Sequence, residues 1–163
     1  MPEKTPYEYK PYYRDVNYRH ENVYRARLEE FPEVAIYPKE AEELKGEWAR
    51  GGSKLCVDVG CAEGDLIIAL AKSAPDNEFV GLDVRFKRVA KAAERTTKEG
   101  IANARFIRYD GAYLNRLFAP GEIDELYFLF PDPWPKLKQK KHRLFSVEKL
   151  KEWLELLKPG GAV

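Results

Sequence analysis

The chain has 163 residues, of which 34% are charged and 44% hydrophobic, and its formal net charge is +1. This length suits one domain with a substantial core, and the small net charge does not by itself predict an acidic partner. No apolar run approaches the ~20 residues that span a membrane, and the N-terminus carries no apolar signal region. Cys56 and Cys61 lack a zinc-site spacing. We therefore expect a cytoplasmic protein without a metal.

Residues 1–38 form an arm rich in tyrosine and arginine. Neither a helical nor a strand period persists there, and one short helix is expected near residues 22–30. Tyrosine and arginine together can stack on bases and hold phosphates. An arm packed along the surface of the domain explains the same composition equally well.

From residue 39 onward, strand and helix patterns alternate up to residue 163. The predicted strands are Lys54–Val59, Phe79–Asp83, Arg105–Tyr109 and Glu125–Phe130. The predicted helices are Glu40–Arg50, Asp65–Ser73, Arg85–Glu99, Ala112–Phe118 and Val147–Leu157. This alternation predicts an α/β fold, with a mostly parallel sheet and helices on both faces.

The segment Lys158–Gly161 is a helix stop signal, and Ala162 and Val163 resemble the start of a fifth strand. A doubly wound sheet does not ordinarily end at the start of a strand. We therefore expect residues 39–163 to be one domain whose C-terminal part is missing, truncated at the fifth strand.

A glycine turn, Gly60–Gly64, joins the first predicted strand to its helix. Glycine permits tight backbone geometry and close ligand approach, and the helix beginning near Asp65 offers free N–H groups. The spacing differs from the G-x-G-x-x-G turn of nicotinamide enzymes. Asp58, just before the turn, suits a ligand with its own positive charge, such as S-adenosylmethionine. The alternative is that Asp58 caps the amides of the turn itself.

Two further carboxylates end predicted strands. Asp83 follows Gly60 at the spacing, about 20 residues, of an acid that binds ribose hydroxyls. Asp110 ends the next strand, where a carboxylate can accept from the amino group of adenine. Because ligands of open α/β sheets bind at the carboxyl ends of strands, Asp58, Asp83 and Asp110 are predicted to share one site.

The fourth predicted strand runs into Pro-Asp-Pro-Trp-Pro-Lys, residues 131–136. Its three prolines stiffen the loop and would hold Asp132 and Trp134 in a fixed pose. A basic block follows at once, and it contains Lys136, Lys138, Lys140, Lys141, His142 and Arg143. Basic blocks are commonly solvated, but one beside a candidate active site favours contact with nucleic-acid phosphates.

At this loop the sequence resembles the tRNA (guanine-N7)-methyltransferase family, which comprises class I, Rossmann-like enzymes that use S-adenosylmethionine. The resemblance runs from about Lys54 to Val163 and also includes 81–88, 120–122, 141–144 and 157–161. It implies methyl transfer to a guanosine in the variable loop of tRNA. It further implies that Asp58, Asp83, Asp110 and Asp132 surround the cofactor and that Lys136 contacts the RNA.

The sequence departs from the family at several positions. Ala62 stands where a glycine is usual, Gly111 where alanine is common and Gln139 where histidine is frequent. The Thr-Asp and Thr-x-x-Glu segments that the family carries further on are absent from these 163 residues. A cofactor- and RNA-binding remnant is therefore the alternative to an active enzyme, and a nicotinamide oxidoreductase is a second alternative.

Because guanine N7 already presents a lone pair, methyl transfer to it requires no general base. The enzyme would contribute alignment and control of charge. The hypothesis from the sequence is that Asp132 stabilises the cation that forms on guanine, while the basic block binds tRNA.

Overall fold

The computed structural model describes residues 23–49, 51–129 and 145–163. Six strands of this part are β1 (Ala35–Ile36), β2 (Leu55–Val59), β3 (Glu78–Asp83), β4 (Ala104–Arg108), β5 (Ile123–Tyr127) and β6 (Leu157–Ala162). They form one sheet in the order β1-β4-β3-β2-β5-β6, in which neighbouring strands are parallel. The predicted parallel α/β sheet is confirmed.

The described helices are α1 (Val23–Leu28), α2 (Pro38–Glu43), α3 (Asp65–Ser73), α4 (Phe86–Lys98), α5 (Leu114–Leu117) and α6 (Val147–Leu156). A 3-10 turn, Gly111–Tyr113, precedes α5. Within the described ranges, no helix is both long enough and apolar enough to cross a membrane.

The sheet separates two cores. On one face, Phe79 and Phe106 pack with apolar residues of α3 and α4. On the other face, Val57 and Leu82 pack with α5 and with Trp153 of α6. The central strand β2 is buried along its whole length, as expected of a parallel strand covered on both sides. Helices therefore cover both faces, as the sequence predicts.

The arm contributes ordered structure that its composition does not reveal. Helix α1 confirms the short helix expected near residues 22–30, and it packs against α4 through an ion pair between Arg27 and Glu94 at 2.9 Å. Strand β1 adds to the edge of the sheet, with Ala35 opposite Phe106. Two residues of strand carry too little period to be recognised in a sequence.

Helix α2 is shorter than the predicted helix Glu40–Arg50 and ends at Glu43. Gly46 has φ +87°, a left-handed conformation that interrupts the helix. The carboxylate of Glu122 accepts hydrogen bonds from the backbone N–H groups of Gly46 at 3.0 Å and Trp48 at 2.9 Å. These bonds replace the helical ones that the segment lacks.

The last strand starts earlier than predicted. Helix α6 ends at Leu156, and β6 begins at Leu157 rather than at Ala162. It pairs with β5 through Ile123 and Leu157, and its register shifts before Ala162. An ion pair between Lys158 and Asp124, at 2.6 Å, joins the two strands. The helix ends just before the predicted stop signal Lys158–Gly161, and this segment lies inside a bulged strand.

Candidate functional site

The candidate site lies where the strand order reverses. From β2 the chain proceeds outward to β3 and β4, and it then returns to form β5 on the other side of β2. Asp58 is opposite Gly81 of β3 and Tyr127 of β5. Open α/β sheets bind ligands at such a switch point, outside the carboxyl ends of the strands.

The glycine turn is fixed to the neighbouring strand by its backbone. The N–H groups of Gly60 and Cys61 both donate to the carbonyl of Leu82, at 2.7 and 2.9 Å. Gly60 has φ +87° and Ala62 has φ +51°, so the chain passes twice through left-handed conformations within three residues. This compact path places the start of α3 beside the end of β2.

The two glycines of the turn have different roles. A Cβ on Gly64 would lie 2.8 Å from the ring of Phe106 and 3.0 Å from Cβ of Ala92, so Gly64 allows α3 to pack closely. A Cβ on Gly60 would meet no atom of the described residues within 4 Å. Among these residues, Gly60 therefore borders open space at the edge of the sheet, where a ligand can approach the backbone.

Asp58 is a buried carboxylate with an unsatisfied oxygen. Its exposed fraction is 3%, and its Oδ1 atom has no hydrogen-bond partner in the described part of the chain. Burial, together with the nearby charge of Asp83, raises the pKa of Asp58 to about 6. Such a group requires a cation or a hydrogen-bond donor. The alternative that this oxygen caps the amides of the turn is not supported.

Asp83 is equally buried, with an exposed fraction of 4%, but both of its oxygens have partners. The N–H of Arg85 donates to Oδ1 at 2.9 Å, and the guanidinium of Arg88 contacts Oδ2 at 3.2 Å. The Cys61 thiol is buried near both acids. Burial and the charges of Asp83 and Asp58 raise its pKa well above the usual range. Cys61 is thus a neutral packing residue.

Asp110 follows β4 at the same edge. The backbone N–H of Tyr109 donates to the carbonyl of Asp83 at 3.1 Å, which joins the ends of β3 and β4. Oδ1 of Asp110 accepts from the N–H of Ala112 at 2.9 Å and caps the 3-10 turn. This geometry aligns Asp110 with the other two acids along the carboxyl ends of three adjacent strands.

The remaining predicted site residues lie outside the described residues. They are Asp132, Lys136, Lys138, Lys140, Lys141 and Arg143. Their predicted roles stay predictions. The structure also shows a contact that the sequence reasoning missed, the pairing of Arg88 with Asp83. The signal was a basic residue in the first turn of the helix that follows a strand-ending acid.

The glycine turn, the switch point and the row of strand-end acids accompany a match to a methyltransferase family. Residues 52–163 match the family model Methyltransf_4, described as "Putative methyltransferase". The solved antibiotic-resistance methyltransferase Kmr aligns with a TM-score of 0.54 and 25% identity, over 69% of this chain and 60% of that one. The aminoglycoside-resistance methyltransferase NpmB1 aligns with a TM-score of 0.53 and 26% identity, over 76% of this chain and 56% of that one.

Curated relatives specify the family. The tRNA (guanine-N(7)-)-methyltransferase of Listeria monocytogenes is 30% identical over 89% of this chain and 68% of its own length. That of Christiangramia forsetii is 32% identical over 89% of this chain and 64% of its own length. The chain belongs to the tRNA (guanine-N7)-methyltransferase family. It spans about 60% of the length of several relatives, for example 59% of the Streptococcus suis enzyme.

Proposed function

We propose that the protein transfers a methyl group from S-adenosylmethionine to N7 of a guanosine in tRNA. The observation that carries this proposal is Asp58, a buried carboxylate with a bare oxygen at the switch point. S-adenosylmethionine carries both an ammonium and a sulfonium, so it offers the cation that Asp58 requires. Membership of the tRNA (guanine-N7)-methyltransferase family supports the choice of substrate.

The described residues fit this cofactor one part at a time. In this proposal Asp58 binds the cationic methionine part, because its Oδ1 atom has no partner among the described residues, and Gly60 allows close approach of the ligand to the backbone. Asp83 accepts from the ribose hydroxyls, and Asp110 accepts from the adenine amino group. A nicotinamide dinucleotide would place a pyrophosphate at the glycine turn, next to the buried Asp58, where its negative charges would be repelled.

Held by Asp58, Asp83 and Asp110, S-adenosylmethionine would supply an electrophilic methyl group. The N7 lone pair of guanine would form the new C–N bond as the S–CH₃ bond breaks and its electron pair returns to sulfur. The positive charge therefore moves from sulfur to the guanine, and no proton is released from N7. In this proposal Asp132 stabilises the new cation, and Lys136 contacts a neighbouring phosphate.

The basic residues Lys138, Lys140, Lys141 and Arg143 complete the proposed RNA contact. If about three of them meet phosphates, log K for tRNA should fall with log salt at a slope of roughly −2 to −3 from this block. The slope should flatten when Lys138, Lys140 and Lys141 are replaced by alanine. An unchanged slope would show that the basic block is a solvated surface that does not contact RNA phosphates.

The direct test incubates the protein with S-adenosylmethionine labelled in its methyl group and an unmodified tRNA transcript. Nuclease digestion and mass spectrometry then identify the modified nucleoside, for which we expect 7-methylguanosine. A transcript with 7-deazaguanosine lacks the N7 lone pair and is the matched control. Label in that control, or label in another nucleoside, would contradict the proposed position.

Cofactor binding is measured separately by calorimetry with S-adenosylhomocysteine, and NADH serves as the comparison ligand. Binding of S-adenosylhomocysteine without methylation of tRNA would indicate the non-catalytic remnant rather than the enzyme. Preferential binding of NADH would overturn the assignment of the site.

A further inference from the structure

The contact between Arg88 and Asp83 bears on how the buried acid pair holds its ligand. Asp83 ends β3, and Arg88 lies in the first turn of α4, so the guanidinium reaches back over the intervening turn. Its NH1 atom is 3.2 Å from Oδ2 of Asp83. The Arg88 side chain is 40% exposed, whereas the Asp83 side chain is 3% exposed. The cation thus lies nearer to the solvent than the acid does.

Asp83 without a cation would be a costly residue. A buried carboxylate loses its hydration, and Asp58 places a second buried carboxylate on the adjacent strand. The two acids are treated differently by the fold, because Asp83 has Arg88 while Oδ1 of Asp58 has no partner among the described residues. The arginine therefore compensates one charge of the pair and leaves the other for the ligand.

The geometry also leaves Asp83 able to bind a diol. A carboxylate has about four lone-pair sites, two on each oxygen. The N–H of Arg85 occupies one site on Oδ1, and Arg88 occupies one on Oδ2. Among the described residues, one site on each oxygen is left without a donor. The hydroxyls at C2′ and C3′ of a ribose can donate to these two remaining sites while both existing contacts persist.

We propose that Arg88 is a positioning residue for the ribose of the cofactor. It fixes the carboxylate of Asp83 in the orientation that accepts both hydroxyls. This inference rests on the proposed function, since it takes the ligand to be an adenosyl compound. Arg88 itself makes no contact with the reacting atoms.

The test is a double-mutant cycle on binding of S-adenosylhomocysteine, measured by calorimetry. We expect Arg88→Met to weaken binding about tenfold and Asp83→Asn to weaken it by at least as much, as befits a lost charge-assisted contact. In the Asp83→Asn protein, Arg88→Met should cost less than about twofold, because residues that act through one contact are not additive. Arg88→Lys should restore most of the affinity. A tenfold loss that persists in the Asp83→Asn protein would overturn the inference.

A ligand comparison separates positioning from general support of the fold. The 2′-deoxy analogue of S-adenosylhomocysteine lacks one donor to Asp83, so its affinity should depend less on Arg88 than that of the parent compound. Equal losses for both ligands would contradict the proposal.

The chain offers a matched control at the opposite end of β3. Arg105 of β4 pairs with Glu78, the first residue of β3, at 2.8 Å. Arg105→Met also breaks an ion pair of this sheet, but it should leave ligand affinity unchanged. If it weakened binding as much as Arg88→Met does, the effect would be one of sheet stability. Failure of the unsubstituted protein to bind S-adenosylhomocysteine would instead overturn the proposed function.

Discussion

Asp58 and Asp83 lie on adjacent parallel strands, and the charge of Asp83 adds to burial in raising the pKa of Asp58 to about 6. The ordinary pKa of this carboxyl is 3.8. In the absence of a ligand, ionised Asp58 therefore destabilises the folded state. The same property makes it a strong partner for a cation, so stability and binding conflict at this residue.

Asp58→Asn should stabilise the unliganded protein at pH 8. The folded state binds a proton on Asp58 more tightly than the unfolded state, so stability falls as the pH rises from about 4 to about 6 and stays reduced above that range. Removing the carboxylate should raise the free energy of unfolding by about 3 kcal/mol at pH 8, at 1.36 kcal/mol for each unit of pKa. At pH 4 the free energy of unfolding should hardly change. Urea unfolding at pH 4, 6 and 8 measures the difference.

Asp124 provides the opposite case for comparison. Burial raises its pKa, but hydrogen bonds from Lys158 and from the N–H of Leu55 outweigh burial, so the pKa of Asp124 is lowered. Asp124→Asn should therefore destabilise the protein at pH 8. If Asp58→Asn lost stability at pH 8 as Asp124→Asn does, the buried charge of Asp58 would not destabilise the folded state.

Cofactor affinity should depend on the ionisation of Asp58. Below about pH 6 the carboxylate is protonated in the free protein and must release its proton to bind the cation. The dissociation constant should therefore rise by up to about tenfold for each unit by which the pH falls. Among the described neighbours, burial keeps Cys61 neutral in this range, and Asp83 is paired with Arg88. Calorimetry with S-adenosylhomocysteine between pH 5 and 8 tests this, and a pH-independent affinity would exclude Asp58 as the partner of the ammonium.

The positions of the three strand-end acids could be predicted from the sequence because each lies near the end of a predicted strand. Parallel strands place their carboxyl ends at one edge, so Asp58, Asp83 and Asp110 converge without knowledge of any contact. The switch in direction at β2 then locates the site. These features depend on local pattern and on chain order, both of which a sequence contains.

What the sequence did not reveal depends on contacts between distant segments. The early end of α2 follows from Glu122, whose carboxylate binds a backbone segment more than 70 residues away in the chain. The bulged start of β6 depends on pairing with β5. Gly60 and Gly64 differ in role because the ring of Phe106 lies against Gly64. None of these produces a periodic signal.

Alanine substitutions at the two glycines of the turn should have different consequences. Both positions have positive φ, which costs an alanine about 1–2 kcal/mol. Gly64→Ala also forces a Cβ against Phe106 and Ala92, so it should destabilise the fold further. Gly60→Ala meets open space and should mainly weaken cofactor binding. Parallel urea unfolding and calorimetry check this, and a greater stability loss in Gly60→Ala would contradict the assignment.

Glu122 is a third buried acid, and it binds backbone N–H groups of the fold. Its Oε1 accepts from the N–H of Trp48 at 2.9 Å, and its Oε2 accepts from Gly46 at 3.0 Å and from Ala119 at 2.7 Å. A glutamine keeps only one acceptor oxygen. Whichever way its amide turns, an NH₂ group faces at least one backbone N–H, and a buried donor loses its partner.

Glu122→Gln should therefore destabilise the protein by about 2–3 kcal/mol, the cost of an unsatisfied buried donor. Glu47→Gln, at an exposed position in the same segment, should change stability by less than about 0.5 kcal/mol and is the matched control. Because Glu122 is bonded to the segment after α2 and not to the strand-end acids, affinity for S-adenosylhomocysteine should be preserved in the folded variant. Urea unfolding gives the first quantity and calorimetry the second. A stable variant that had lost ligand binding would place Glu122 in the site instead.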